Sequence, residues 1–586
     1  MRFHAVFSQA LNVFFGIDAR FRFLSSIAVG WVLVSVACAA ESSSDDSLPK
    51  VQVASAVEEW PAMVRMEGNG VMRLDFSGSG NLKGGVVTVD LSPTDRLEDV
   101  ESVVLRLGSK DCVYFLEKSD SGRKLAMVLG KAVSAEKKPE ARMSFTITED
   151  VPVAEKGEVP VWVSVKMKPG ADLDRRVGVR LTGVQLADRL LAVKGGKVSR
   201  QRIGYAVAKF GDTVYGPPCP QGKKSLHFRI PGMVRAQDGS LVSVFDIRYD
   251  RHNDLPSNID VGCSRSPDGG KSWSPVSVAM NYTGTPGNPV PVGNVDFSND
   301  YGVGDPSILL DEATGNLWIA AIARKGIVNS KPGLTDDTTS QFVVCRSRDG
   351  GATWEAPKSL NFLCKDAGWA SFFDGPGHGI TMKARPDGVR PIVFPAQIWN
   401  RGSSSCIVYS EDRGETWKCE EQGKAKPGLP ERTSESTVVQ LSDGSLMLSA
   451  RHEGKSGKRV VYTTNDMGRT WQPHESNLKA LPDPTCQGSL LSVALPGYGK
   501  NVLLFSNPAT SVMPRRNMTL KASLDDGRSW TSSLLYDSRS SCGYSDICPI
   551  DATHAGVLYE GLPGDANLFF LRISYAELME GAVSGK

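Results

Sequence analysis

An excess of charge is the first thing missing from this chain of 586 residues. Lys and Arg together number 67 and Asp and Glu 65, for a formal net charge of +2. No bulk field therefore draws the protein to nucleic acid or to an anionic membrane, and any recognition of an anion must come from a few placed arginines. Metal-ligand spacing is missing too. The 11 cysteines are scattered, with no CxxC pair, no Cys/His cluster and no HExxH, which removes the common zinc signatures. The glycine-rich stretch GSGNLKGG at Gly78 to Gly85 lacks Walker spacing and reads as a flexible loop, not a phosphate cradle. No segment carries a long helical apolar stripe, and after residue 40 no unbroken apolar run is long enough to cross a bilayer. What remains, 40% hydrophobic and 23% charged, is ordinary globular composition.

The N-terminus reads as an export signal. Arg2, Arg20 and Arg22 precede the apolar run Phe23 to Ala37, which ends in the small residues Ala37, Cys38, Ala39 and Ala40. Residues 1–40 are thus expected to direct export, with a polar tether over 41–50. The mature chain is expected in the periplasm, at the outer membrane or outside the cell. Export permits disulfides. Cys542 and Cys548 are close enough in sequence to pair, or to be two separately buried thiols.

Residues 51–198 alternate with period two. Val161, Val163, Val165 and Met167 share one strand face, as do Met143, Phe145 and Ile147, and Val177, Val179 and Leu181. With turns such as SPTD and KPGAD, the pattern predicts an antiparallel β-sandwich. Trp60, Tyr114 and Trp162 are its candidate sugar platforms. Trp162 lies on the face opposite the core, where it could stack on a sugar or pack against the domain that follows.

From residue 199 to 586 the chain repeats itself. SPDGGKSW (Ser266–Trp273), SRDGGATW (Ser347–Trp354), SEDRGETW (Ser410–Trp417), TNDMGRTW (Thr464–Trp471) and SLDDGRSW (Ser523–Trp530) fit one pattern, [S/T]-x-D-x-G-x-x-W. Their starts are 81, 63, 54 and 59 residues apart, intervals that suit four-stranded blades with added loops. The Asp can accept amides of a hairpin turn, the Gly permits positive φ, and the Trp opens the next strand with a large apolar surface. The motif is structural. Its lone aspartates lack the further oxygen ligands of a calcium loop.

These octamers are Asp-boxes, and the chain resembles the six-bladed β-propellers of the sialidase (neuraminidase) family, here preceded by a small β-sandwich. The resemblance covers roughly residues 205 to 575 and implies an all-β fold whose sixth blade, near Tyr536 to Ile573, has lost its box. It also implies a site. FRIP at Phe228 to Pro231 offers Arg229, LMLSARHEG offers Arg451, and NPATSVMPRRNMTLK offers Arg515 or Arg516, Arg515 being favoured, as the three arginines that hold the substrate carboxylate. Guanidinium forks bind carboxylates bidentately and stay charged. DIRYDRHNDLPSNIDVG offers Asp254 as acid/base, with Asp260 competing, and Arg248 as a sugar contact. TSESTVVQL and GYSDICPID offer Glu435 and Tyr544, in the family a base and a tyrosine nucleophile. Neutral tyrosine avoids the repulsion an anionic nucleophile would meet at an anionic sugar. GVLYE offers Glu560 to steady Arg229, GVGDPSIL offers Asp305 near the N-acetyl group, and VFPAQ offers Gln397. The implied activity is retaining exo-α-sialidase action on sialylated glycans, without metal or organic cofactor. Alternatives are a trans-sialidase, including an intramolecular one, and a non-catalytic sialoglycan-binding propeller. The small domain would be a spacer or a lectin.

Overall fold

The computed structural model describes residues 50–580, apart from 111–112, 119–123, 129, 197, 217–218, 283–301, 541–542 and 562–565. The export segment expected over 1–40 lies outside the described residues. Among the described residues, no helix is long and apolar enough to cross a membrane.

The alternating segments form two packed sheets. One orders Val193–Gly195, Gln52–Ala56, Asn69–Ser77, Glu158–Met167 and Val100–Leu107. The other orders Val198–Ala208, Arg176–Leu186, Val86–Asp90 and Arg142–Thr146. Val161, Val163, Val165, Met143, Phe145, Val177 and Val179 meet in one buried core between them, as their period requires. Trp162 is fully buried on the opposite face. Its indole donates to the Ser109 carbonyl at 3.0 Å and its ring meets Trp60 at 5.4 Å, while the Arg73 guanidinium lies 5.6 Å from its centroid. Trp60 is buried as well and donates to the Gly70 carbonyl at 2.9 Å. Neither indole is a sugar platform: both are packing residues. The side chain of Tyr114 lies outside the described residues.

The strand Val198–Ala208 belongs to two structures at once. Its first half pairs with Arg176–Leu186 of the sandwich. Its second half pairs with Asn567–Ser574 at the far end of the chain. The sandwich and the propeller sheets therefore share one continuous sheet path and one compact unit, Pro49–Lys586.

Beyond this strand, six sheets succeed one another among the described residues. Their first strands are His227–Arg235, Val303–Leu310, Ser371–Asp374, Thr433–Gln440, Ser489–Val493 and Ser545–Pro549. The Asp-boxes do more than turn the chain. In the second, the Ser347 hydroxyl donates to Asp349 at 2.8 Å and accepts the Gly351 amide at 2.8 Å, and Asp349 also accepts the Thr353 amide at 2.9 Å. Burial resists the charge on Asp349, but the Thr353 hydroxyl, the Thr353 amide and Ser347 outweigh it and bring its pKa down to about 2. Each box glycine also lies against the preceding sheet. A Cβ on Gly351 would lie 3.0 Å from Val242, on Gly414 2.1 Å from Trp318, on Gly468 3.3 Å from Ile407 and on Gly527 3.1 Å from Met447. On Gly270, in the first sheet, it would lie 1.9 Å from Phe570 of the last. These contacts set five neighbours of the ring, and the Ser506 hydroxyl, 2.8 Å from that of Ser545, joins the fifth sheet to the last and closes it.

The last sheet has no box for a reason the octamer count did not reveal. In four of the five boxed sheets the box joins the third strand to the fourth, and in the remaining one it joins Ser403–Ser410 to Lys418, which bridges back to Tyr409. In the last sheet the third strand, Asn567–Ser574, runs into the helix Tyr575–Glu580, and the fourth is Val198–Ala208 from the other end of the propeller. No hairpin joins them, so there is no turn for a box to make. Ser347→Ala should test the boxes' role. It leaves the buried Gly351 amide without an acceptor, costing about 1–3 kcal/mol, and is expected to lower Tm while turnover at permissive temperature is retained.

Candidate active site

The residues expected to bind and react sit on the first and second strands of the sheets or on the loops at their ends. Three of them stand where the ladder of a first strand breaks. Register shifts fall between Arg229 and Gly232, between Gly304 and Ser307, and between Thr433 and Ser436, beside Arg229, Asp305 and Glu435. Such bulges re-aim side chains out of the alternating pattern. Ile230 takes φ +58° and Asp305 φ +53°, a region that β-branched residues in particular avoid. Both are pinned by buried carboxylates. The Ile230 amide donates to Glu560 at 3.0 Å and the Asp305 amide to Asp246 at 2.8 Å.

Glu560 is wholly buried and also accepts Arg229 Nε at 3.1 Å and the Tyr544 amide at 3.0 Å. One carboxylate thus fixes an arginine, a strained turn and the strand entry of the tyrosine. Burial pulls its pKa up, but Arg229 and the Tyr544 and Ile230 amides hold it below the ordinary range. Arg229 and Arg515 lie 5.7 and 5.5 Å from the centroid of the Tyr544 ring. Arg515 Nη2 donates to the Thr485 carbonyl at 3.2 Å. Arg516 is exposed, so Arg515 is the one of the pair brought to the tyrosine.

The Tyr544 hydroxyl donates to Glu435 Oε1. Arg451 Nη1 donates to Glu435 Oε2 at 2.9 Å and to the same hydroxyl at 3.2 Å. Burial and then the Glu435 charge push the phenol well above its ordinary pKa, against the pull of Arg451 and Arg515. At rest it is therefore a neutral hydroxyl aimed at a base.

Arg248 is fully buried. It donates from Nε and Nη2 to Asp246 at 3.0 and 2.8 Å, and its Nη1 meets Asp254 at 2.8 Å. Asp254 has a side chain 75% exposed, with Arg229 at 3.9 Å. Desolvation within the cleft works against its charge, but Arg248 and Arg229 win and hold its pKa below the ordinary value. Asp260, the competing acid, is buried on its strand and engaged by the Tyr249 hydroxyl at 2.8 Å and the Asn281 amide at 2.7 Å. Gln397 donates to the Asp374 carbonyl at 3.0 Å and accepts the Trp399 indole at 3.0 Å. A pocket of about 230 Å³ has Asp254, Asp305, Gln397, Glu435, Arg451 and Tyr544 in its wall. Among the described residues, no group of three or more His, Cys, Asp or Glu is placed to hold a metal ion.

This geometry has relatives. Residues 230–545 match the model of the BNR repeat-like domain, and residues 50–189 that of the N-terminal domain of BNR-repeat neuraminidase. A sialidase of Bacteroides fragilis is 33% identical over 549 residues, 88% of this chain and 94% of that protein. The chain belongs to the sialidase family. It is a glycosidase, and its fold superimposes on the Hadza microbial sialidase Hz136 with a TM-score of 0.72, at 30% identity, over 90% of this chain and 100% of that one. A leech intramolecular trans-sialidase shares the fold at 15% identity, with a TM-score of 0.57 over 88% of this chain and 99% of that one.

Several residues that shape this sialidase's cleft went unnoticed in the sequence. Glu453 lies 3.0 Å from Arg451 Nε and accepts the Ser434 hydroxyl at 2.6 Å. Asp246 anchors Arg248. Both stand two residues from their arginine, in Asp246-x-Arg248, where one strand puts them on the same face, and in Arg451-x-Glu453, where Glu453 lies just past the end of the strand. That spacing is a signal the sequence did carry. Phe373, Trp399, Ile327 and Val328 add apolar wall, and nothing in their local sequence marks them. Cys548 is a free, buried thiol; Cys542, its expected partner in the paired alternative, lies outside the described residues. Burial pushes the Cys548 thiol above its ordinary range, as expected of a small core residue.

Proposed function

We propose that this sialidase is a retaining exo-enzyme that releases terminal α-linked sialic acid through a covalent bond to Tyr544. The observation that carries the reading is the Tyr544 hydroxyl donating to Glu435 beneath three arginines. Arg229, Arg451 and Arg515 hold the sugar carboxylate and set the anomeric carbon over the phenol oxygen. Glu435 takes the phenol proton as that oxygen attacks, so charge develops only as it is neutralised at carbon. Asp254 gives a proton to the leaving glycosidic oxygen, then takes one from the water that frees the sugar. Its low resting pKa opposes the first of these steps. Binding of the substrate carboxylate draws on Arg229 and covers the cleft, and both effects raise the Asp254 pKa when a proton is needed. Asp305 and Gln397, in the pocket wall, contact the remaining sugar groups, and the buried Arg248 holds Asp254 in place for its proton transfers. The substrates are sialylated glycans met after export.

Proton NMR of a cleaved sialoside tests this reading. The first product expected is free sialic acid in the α configuration, and an activated fluorosialoside should leave a sugar adduct on the Tyr544 peptide. β-Sialic acid appearing first would overturn the double displacement. An anhydro sugar, or transfer to an added acceptor as the main product, would replace hydrolysis by transfer.

A further inference from the structure

One carboxyl group beneath the cleft has no visible means of support. Asp374 ends the strand Ser371–Asp374, directly after Phe373 of the pocket wall, and its carbonyl holds the Gln397 side chain. Its side chain is fully buried, and among the described residues neither carboxyl oxygen has a hydrogen-bond partner. A carboxylate can only accept, and a buried charge with no donor costs several kcal/mol. A proton on the group removes the charge and makes it a donor.

The charges around it lead to the same conclusion. Four carboxyl groups, Asp246, Asp254, Asp305 and Asp374, act on one another on this side of the cleft, with Arg248 and Arg229 against the first two. Arg248 spends its donors on Asp246, Asp254 and the His252 carbonyl and stays 3.9 Å from Asp305. Burial and then the Asp305 charge push Asp374 well above the ordinary carboxylate range, with Asp246 adding to the effect and the residue's own backbone amide opposing it. Burial, then Asp246 and Asp254, push Asp305 the same way, with Glu435 adding to the effect and Arg248 opposing it. Asp246 is itself raised to about 6, by burial. A substrate that brings its own carboxylate would meet strong repulsion here if all four were ionised.

We propose that Asp374 is a positioning residue that stays an uncharged acid beneath the pocket, keeping this side of the cleft open to an anionic sugar. Nothing in the octamers or the arginine pattern assigns it a part. The inference rests on the sialidase reading of the cleft. Two interacting carboxyls lose their protons in two steps that belong to the pair. The upper step places a second negative charge by the substrate, so it weakens binding and leaves the nucleophile and its base alone.

The test uses the full chain, wild type and Asp374→Asn, with a fluorogenic sialoside over a pH series. In the wild type KM is expected to climb on the alkaline side, by about tenfold per pH unit once the upper step is passed, with kcat little moved. In the variant that climb should be lost, the change falling on KM. Infrared spectra of the free proteins give a readout that needs no turnover, and in the wild type it holds even if the variant fails to fold. A protonated-carboxyl band at neutral pH should fade as pH rises and should be weaker in the variant. Absence of the band from the wild type would overturn the proposal whatever the activity, and so would superimposable KM profiles. A wild type that shows the band but binds no sialoside would instead overturn the reading of the cleft, and with it the role given to Asp374.

Discussion

Tyr544→Phe is expected to lower kcat on a fluorogenic sialoside by at least about 10³, or about 4 kcal/mol at the transition state. The substitution removes one atom, and the geometry says which functions that atom serves. The hydroxyl is the donor to Glu435 and an acceptor for Arg451. The ring stays between Arg229 and Arg515, so the arginines keep their positions and the carboxylate of the substrate keeps its partners. Glu435 keeps Arg451 and is not stranded. Binding should therefore survive, with the dissociation constant for free sialic acid changed by less than about tenfold, because the loss is confined to an interaction made in the reaction. Near-normal turnover in the variant would sink the assignment of the nucleophile. A loss of binding equal to the loss of rate would show that the hydroxyl serves the ground state and not the chemistry.

Most of this site could be read before its geometry was known, and the residues that could not share a physical cause. Arg229, Arg451 and Tyr544 stood in short segments whose order along the chain matched a family, and a closed ring brings such segments together because each first strand faces the axis. The five octamers identified the fold for a similar reason: a turn that must accept amides and pack a tryptophan leaves little choice of residue. The missing sixth octamer was misread, because a ring can close with strands from opposite ends of the chain and the turn is then absent, not eroded. Trp162 was ambiguous because strand alternation tells which side a residue faces but not what covers that side. Here Trp60 and Arg73 cover it. Asp374 was invisible because nothing near it in sequence has a say in its state. The groups that act on it, Asp305 and Asp246, come from two other strands.

Glu560→Gln should be the most damaging change to a residue that never meets the sugar's reacting carbon. Glutamine keeps the volume but offers one acceptor oxygen where the carboxylate serves four donors, Arg229 Nε and Nη2 and the Ile230 and Tyr544 amides. Its NH₂ must turn toward donors already present, and Arg229 loses the anion that fixes its fork. The expected fall in kcat/KM is about 10²–10³, carried mainly by KM since Arg229 binds before it catalyses, with a stability loss of about 3–5 kcal/mol for a broken buried ion pair. The pH dependence separates charge from shape. The folded pKa of Glu560 lies below its unfolded value because Arg229 and the two amides outweigh burial. Its stabilisation is thus fully present above the unfolded value of about 4.3 and drains away as pH falls through the folded one. Urea unfolding at neutral pH should separate wild type from Glu560→Gln widely, and the gap should close as the wild type is acidified. A gap that stays constant across that range would mean that the packing of the side chain, and not its charge, holds Arg229, Ile230 and Tyr544 in register.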